Sequence, residues 1–210
     1  MPLVDYSQLL VLFVVLLLSL AIHEAAHAWS ADLLGDPTAA GAGRLSFSPA
    51  IQIDPVGSII FPLVSFVSGF APIGWGKPVP VDLQHLGSAW RWKLVAIAVA
   101  GPVCSLALAT LAALAIRAGV AATHSPFDAI IAPMLFRFVD LNVLLGVFHL
   151  LPVPPLDGSL ILAAVLPTRA GAAWRARQTV GVVVLFVLLL LGALGSVLTP
   201  IRASLMGILV

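Results

Sequence analysis

The run from Leu9 to about Ala31, with no charged residue before Glu24, constrains this chain more than any other feature, because about 20 mainly apolar residues cross a bilayer as a helix. In lipid every backbone N–H and C=O must find its partner within the protein, so such a run has helix as its solution. Three further runs are long enough to span: about Leu94 to Ile116, about Phe127 to Leu151 and about Val180 to Leu198. The composition agrees: 61% of the 210 residues are hydrophobic and 9% are charged, against about 25% charged in a soluble domain. A water-soluble globule is excluded. The formal charge of +1 provides no basic surface for nucleic acid, and a single cysteine, Cys104, excludes a disulfide framework. Ala26-His27-Ala28 formally fits a signal-peptide cleavage site, but the segment before the first run carries Asp5 and no Lys or Arg, so it reads as a span rather than a leader.

Between the first two spans the pattern changes. Gly35 to Gly57 is rich in Gly, Pro and Asp, and Arg44-Leu-Ser-Phe-Ser-Pro alternates as a short strand or extended segment does. The apolar stretch at 58–69 is too short to cross and suits a re-entrant segment. Pro78 and Pro80 then stiffen an extended loop. The expected fold is an all-α polytopic membrane protein: about four full transmembrane helices, a re-entrant or short segment, and a short membrane-associated extended or strand region after the first span. Residues 1–210 form one integral-membrane domain. With 58–69 re-entrant, Arg44, Lys77, Arg91, Lys93, Arg169, Arg175 and Arg177 share one side, and Arg117 and Arg202 take the other. Positively charged loops stay in the cytoplasm, which puts the N-terminus outside and both polar segments described next at the inner leaflet.

The first span carries His23-Glu24-Ala25-Ala26-His27. Residues four apart on a helix lie about 40° and 6 Å apart, so both imidazoles leave one face and can bind one metal ion, with Glu24 on the adjoining face to take a proton from water. Glu24 is the sole Glu in the chain. A catalytic zinc has three protein ligands, and Asp157 is the candidate third. Pro152, Pro154 and Pro155 break the helix just before it, and broken backbone at membrane depth lines a cavity or lies within protein. The competing reading of Asp157-Gly158 is an ordinary turn at a helix end. That of the histidines is a set of interhelical hydrogen bonds.

These residues resemble the site-2 proteases, zinc metalloproteases that cut inside the membrane, and most closely the compact prokaryotic members without an added PDZ or CBS domain. The resemblance is carried by His23-Glu-Ala-Ala-His-Ala-Trp, Leu34-Gly-Asp-Pro-Thr, Gly43-Arg-Leu, Ile53-Asp-Pro-Val-Gly, Gly74-Trp-Gly-Lys-Pro-Val-Pro-Val, Ala100-Gly-Pro and Leu151-Pro-Val-Pro-Pro-Leu-Asp-Gly. It implies one zinc per chain on His23, His27 and Asp157, with Glu24 as general base. It further implies a transmembrane protein or peptide as substrate, and a prokaryotic cell membrane with the active site towards the cytoplasm. The chain departs from the family pattern at four positions: Ser105 and His149 stand where Asn is usual, Ser48 where Asn is usual and Gln52 where His is usual. Asn142, His149 and Ser105 are candidates for contacting substrate or a developing oxyanion. His149 either orients a ligand, assists the oxyanion or bonds a carbonyl. Arg137 and Asp140, near mid-bilayer, either neutralise each other or line the cavity with Asn142. His85 and His124 read as loop residues.

Two other functions compete with the protease. A catalytically silent relative would grip transmembrane helices without cutting them, and a metal transporter would need ligands spaced along a pathway, whereas here they cluster at one depth.

Overall fold

The structure, a computed structural model, describes residues 6–119 and 128–210; the expected loop residue His124 and the start of the third span at Phe127 lie outside them. Among the described residues all the regular structure is helical. Helix α1 (Tyr6–Leu33) is followed by two single turns, α2 (Thr38–Gly41) and α3 (Pro49–Gln52), and by a π-helical turn at Pro55–Ile60 that runs into α4 (Phe61–Val67). Then come α5 (Trp90–Arg117), α6 (Asp128–His149), α7 (Asp157–Val165), α8 (Thr168–Arg175), α9 (Gln178–Leu190) and α10 (Ala193–Leu209).

Leu9–Leu33, Gly87–Arg117 and Ile131–His149 are each long and apolar enough to cross a membrane. Their apolar side chains lie on both the packed and the outward faces. Leu16 and Leu20 of α1 are buried while Leu10, Val14 and Leu18 are exposed. A helix apolar all round belongs in lipid, and the protein is a membrane protein. The fourth apolar run is divided. Gly192, in the left-handed region at φ 72°, ends α9 and starts α10, while α8 and α9 meet at a 64° bend and are together long and apolar enough for a broken span or a re-entrant loop. The apolar tail from Ile201 is the second half of α10, which packs against α6 and α9.

The 58–69 stretch does not cross. Its helical part, Pro55–Val67, belongs to the shorter apolar helices, and Gly69 turns the chain at φ 79°. The returning strand of chain then pairs with the entering one. The Trp75 N–H donates to the Gly57 carbonyl at 3.1 Å, the Lys77 N–H to that of Gln52 at 2.7 Å, and the Ser58 hydroxyl to that of Trp75 at 2.9 Å. Both ends of a re-entrant hairpin therefore meet on one side. The limbs approach closely at two glycines: a Cβ on Gly74 would strike the Gly57 carbonyl, and one on Gly57 the Trp75 ring.

Of the strand or extended segment expected at Arg44–Ser48, the strand is corrected, since there is none among the described residues. A strand needs a neighbouring ladder, and here side chains take the backbone groups instead. Gln52 Nε2 donates to the Arg44 carbonyl at 3.0 Å and to the Ser46 carbonyl at 2.8 Å, while the Ser48 N–H donates to Ser46 Oγ at 3.1 Å. Arg44 is buried and braces the segment against the hairpin, donating to Gln52 Oε1 at 2.8 Å and to the carbonyls of Lys77 and Pro78.

Asp140 is taken by Arg202 of α10, whose guanidinium forms a two-pronged pair with its carboxylate, one bond at 2.6 Å. The pair is half-buried. Asp140→Ala is therefore expected to lower stability in detergent by an amount between the ~1 kcal/mol of an exposed pair and the ~3 kcal/mol of a buried one, read as a fall in thermal midpoint.

Outside the spans, Asp36 pins the loop after the hairpin. Burial by itself raises its pKa. Hydrogen bonds from the Thr38 hydroxyl and N–H, the Asp82 N–H and His85 outweigh burial and hold the carboxyl below its ordinary value. A depressed folded pKa stabilises the fold above the unfolded value of about 3.9 and loses that contribution as pH falls through the folded value. Protease nicking near Asp82–Leu86 is expected to rise below about pH 4, and at neutral pH in Asp36→Asn.

Candidate metal centre

α1 places His23, Glu24 and His27 on adjoining faces of one stretch, about 9 Å short of its C-terminal end at 1.5 Å per residue. The break after α6 delivers Asp157 to them. Leu151–Leu156 forms turns around Pro152, Pro154 and Pro155, and Asp157 opens α7. Gly158 permits the tight passage: a Cβ there would strike the Leu150 carbonyl.

The three groups converge. His23 Nε2 lies 3.1 Å from Asp157 Oδ2 and His27 Nε2 lies 3.2 Å from Oδ1. All three residues are buried, and one ligand atom from each falls within 4.8 Å of the others. The other ring nitrogens are engaged behind. His27 Nδ1 lies 2.7 Å from the Ile97 carbonyl, which can only accept, so Nδ1 carries a proton and Nε2 is the nitrogen turned inward. His27 Nε2 is buried without a hydrogen-bond partner. His23 Nδ1 lies 3.0 Å from Ser105 Oγ.

A metal suits this donor set. With Nε2 deprotonated on each ring, two imidazole lone pairs and a carboxylate form an all-acceptor set, and their 3.1–3.2 Å separations suit a cation bound between them. Donor atoms around a tetrahedral zinc with bonds of about 2.0–2.1 Å lie roughly 3.3 Å apart. Space is kept by α5, where a Cβ on Gly101 would run into the Nε2 atoms of both His23 and His27.

Glu24 is buried on the other side of the pair against Gly76, where a Cβ would fall 2.6 Å from its Oε1. Glu24, His27, His149 and Asp157 line one cavity of ≈ 90 Å³, room for about three waters at ~30 Å³ each.

The remaining candidates separate. His149 joins the site, its Nδ1 2.8 Å from Asp157 Oδ2 and its Nε2 3.2 Å from the Gly74 carbonyl, so it meets both a ligand and a carbonyl. Ser105 stands behind His23 rather than in the cavity. Asn142 lies deeper, its Nδ2 3.0 Å from Ser19 Oγ and 2.9 Å from the Phe138 carbonyl, and it does not line the cavity either. Sequence reasoning missed what Arg44 and Gln52 do. Arg44 was legible as an inner-side charge, and nothing local tied it to residues 77 and 78.

No protein-family model matches the chain, and no solved structure matches it significantly. Among curated proteins it is 34% identical over 188 residues to the Bacillus subtilis protein named "Putative zinc metalloprotease YwhC", covering 88% of this chain and 82% of that one. It is 33% identical over 147 residues to the Mycobacterium tuberculosis protein named "Putative zinc metalloprotease Rip2", covering 68% of this chain and 52% of that longer one. A Mycolicibacterium smegmatis protein of the same name is 31% identical over 181 residues, 85% of this chain and 66% of the relative. The HEAAH helix, the distant Asp157 brought against it and these relatives lead to one conclusion: the chain belongs to the site-2 protease family of zinc metalloproteases.

Proposed function

We propose that this protein hydrolyses peptide bonds within or near transmembrane segments of other membrane proteins, with His23, His27 and Asp157 holding one zinc and Glu24 acting as general base. The observation that carries the reading is the convergence of the buried His23, His27 and Asp157 ligand atoms beside a small cavity that Glu24, His27 and Asp157 line, within a bundle of helices long and apolar enough to span a membrane. When bound there, zinc supplies a Lewis acid that acidifies water and polarises a carbonyl. Glu24 accepts the proton of the attacking water and passes it to the leaving nitrogen. Ser105 and the Ile97 carbonyl hold the two imidazoles in the orientation and tautomer that ligation needs. His149, tied to Gly74, fixes the Asp157 carboxylate and so links the ligand set to the hairpin.

A helix about 10 Å across does not fit a ≈ 90 Å³ cavity, so the substrate reaches Glu24 unwound. The Arg44–Ser48 segment, braced by Arg44 and Gln52, is the part of the chain against which such a strand would pair by its main chain. The inner-side Lys and Arg residues support a site facing the cytoplasm, and the family resemblance supports a prokaryotic cell membrane. The test is cleavage of a panel of transmembrane peptides in liposomes by zinc-loaded protein, with mass spectrometry locating the cut. Products ending inside the apolar stretch are expected, and an unchanged panel with zinc bound overturns the reading.

A further inference from the structure

The catalytic cavity has a charged mouth. Its lining runs from buried Glu24, His27 and Asp157 outward to half-buried Arg175 and exposed Gln178. Arg175 is the one Lys or Arg in that lining. Three other cations of the same face are satisfied by backbone: Arg44 by the Lys77 and Pro78 carbonyls, Arg91 by those of Ala164 and Leu166, Lys93 by that of Leu34; Lys77, Arg169 and Arg177 do not line the cavity. Arg175, among the described residues, makes no hydrogen bond or ion pair. A guanidinium has five donors in a planar fork matched to a carboxylate, and here the fork stands at the cavity mouth without an acceptor.

Its position is held rather than incidental. Arg175 ends α8 and Gln178 begins α9, on either side of the 64° bend. Gly171 lets α8 lie directly on α7, since a Cβ there would strike the Ala163 carbonyl. Gly181 lets α9 lie on the proline turn, where a Cβ would strike the Pro154 carbonyl. Two glycine contacts thus lock both helix ends to the segment that carries Asp157. Gln178 also lines the adjoining groove with Val56 and Val182, so a chain passing from that groove to Glu24 passes the mouth.

We propose that Arg175 reads a carboxylate on the substrate: an Asp or Glu side chain within a few residues of the scissile bond, on the flank that leaves the bilayer, with Gln178 bonding the extended backbone beside it. The proposal rests on the protease reading for what enters the cavity. A preference for acidic over neutral flanking residues then arises from a charge-assisted pair in a partly desolvated mouth, and the side of the scissile bond on which it acts sets the register of cleavage.

The probes are three synthetic transmembrane peptides of one host sequence bearing Asp, Asn or Lys just beyond the apolar stretch, in phosphatidylcholine vesicles without anionic lipid. Affinity is read by fluorescence on full-length Glu24→Gln protein, and turnover on unaltered zinc-loaded protein. The Asp peptide is expected to bind and turn over about tenfold better than the Asn peptide. Arg175→Gln is expected to erase that ratio through KM with kcat kept, Arg175→Lys to retain part of it, and Arg175→Glu to transfer the preference to the Lys peptide. An Asp-to-Asn ratio unchanged in Arg175→Gln overturns the proposal. So does an equal loss on all three peptides, the mark of a structural or lipid-binding arginine. If unaltered protein cuts none of them while Glu24→Gln protein shows the Arg175-dependent preference in binding, the protease reading fails and the recognition stands.

Discussion

Glu24→Gln is expected to lower peptide cleavage at least a thousandfold while leaving the zinc content and the thermal midpoint nearly unchanged. Gln keeps the volume and a hydrogen-bonding oxygen but cannot accept a proton, and a positioned acid–base group contributes about 10²–10⁴-fold to rate. The upper part of that range applies because the cavity has no substitute. It is the sole Glu of the chain, and Asp157, the other carboxylate in the cavity, is already faced by His23, His27 and His149. Single-turnover cleavage of a transmembrane peptide, with metal analysis of the same sample, measures both quantities. Full activity in the variant would remove Glu24 from the chemistry, and loss of zinc with activity would make its role structural.

Asp157→Ala is expected to reduce bound zinc from about one per chain to less than a tenth under the same loading, and to abolish cleavage with it. Two imidazoles on one helix remain, but three protein ligands are the usual number for a catalytic zinc, and the loss removes the negative charge of the set. The fold should survive in part, because Asp157 opens α7 without capping it through its side chain and the neighbouring apolar cluster of Phe61, Trp75, Phe148 and Leu185 is untouched. Metal content of the protein purified in detergent reads this without any knowledge of substrate. Undiminished zinc in the variant would break the link between the two distant motifs.

Much of the site was legible because its strongest part is local. The i, i+4 spacing of His23 and His27 turns both rings to one face whatever surrounds the helix, and three prolines before Asp157 announce a helix break at membrane depth. The re-entrant reading of 58–69 also needed only length. The departures from the family pattern acquired meaning only in three dimensions. Ser105 stands behind His23, 82 residues away in sequence, His149 ties Asp157 to Gly74, and Gln52 holds Arg44 and the segment in which a strand was expected. Asp140 also bonds Arg202, 62 residues on, a partner that no local pattern indicates.

What the sequence by itself determined is the membrane solvent, the helical class and the facing histidine pair, since each follows from hydropathy or helix geometry over a few turns. Tertiary structure alone decided whether Asp157 reaches them, which nitrogen each histidine turns inward, and which arginine stands at the cavity mouth. Those outcomes depend on how closely helices approach. The approach is set by single missing side chains, at Gly101 under the two imidazoles, at Gly158 beside Leu150, and at Gly171 and Gly181 beneath α8 and α9. A glycine's consequence is fixed by what packs against it, and no local pattern contains that.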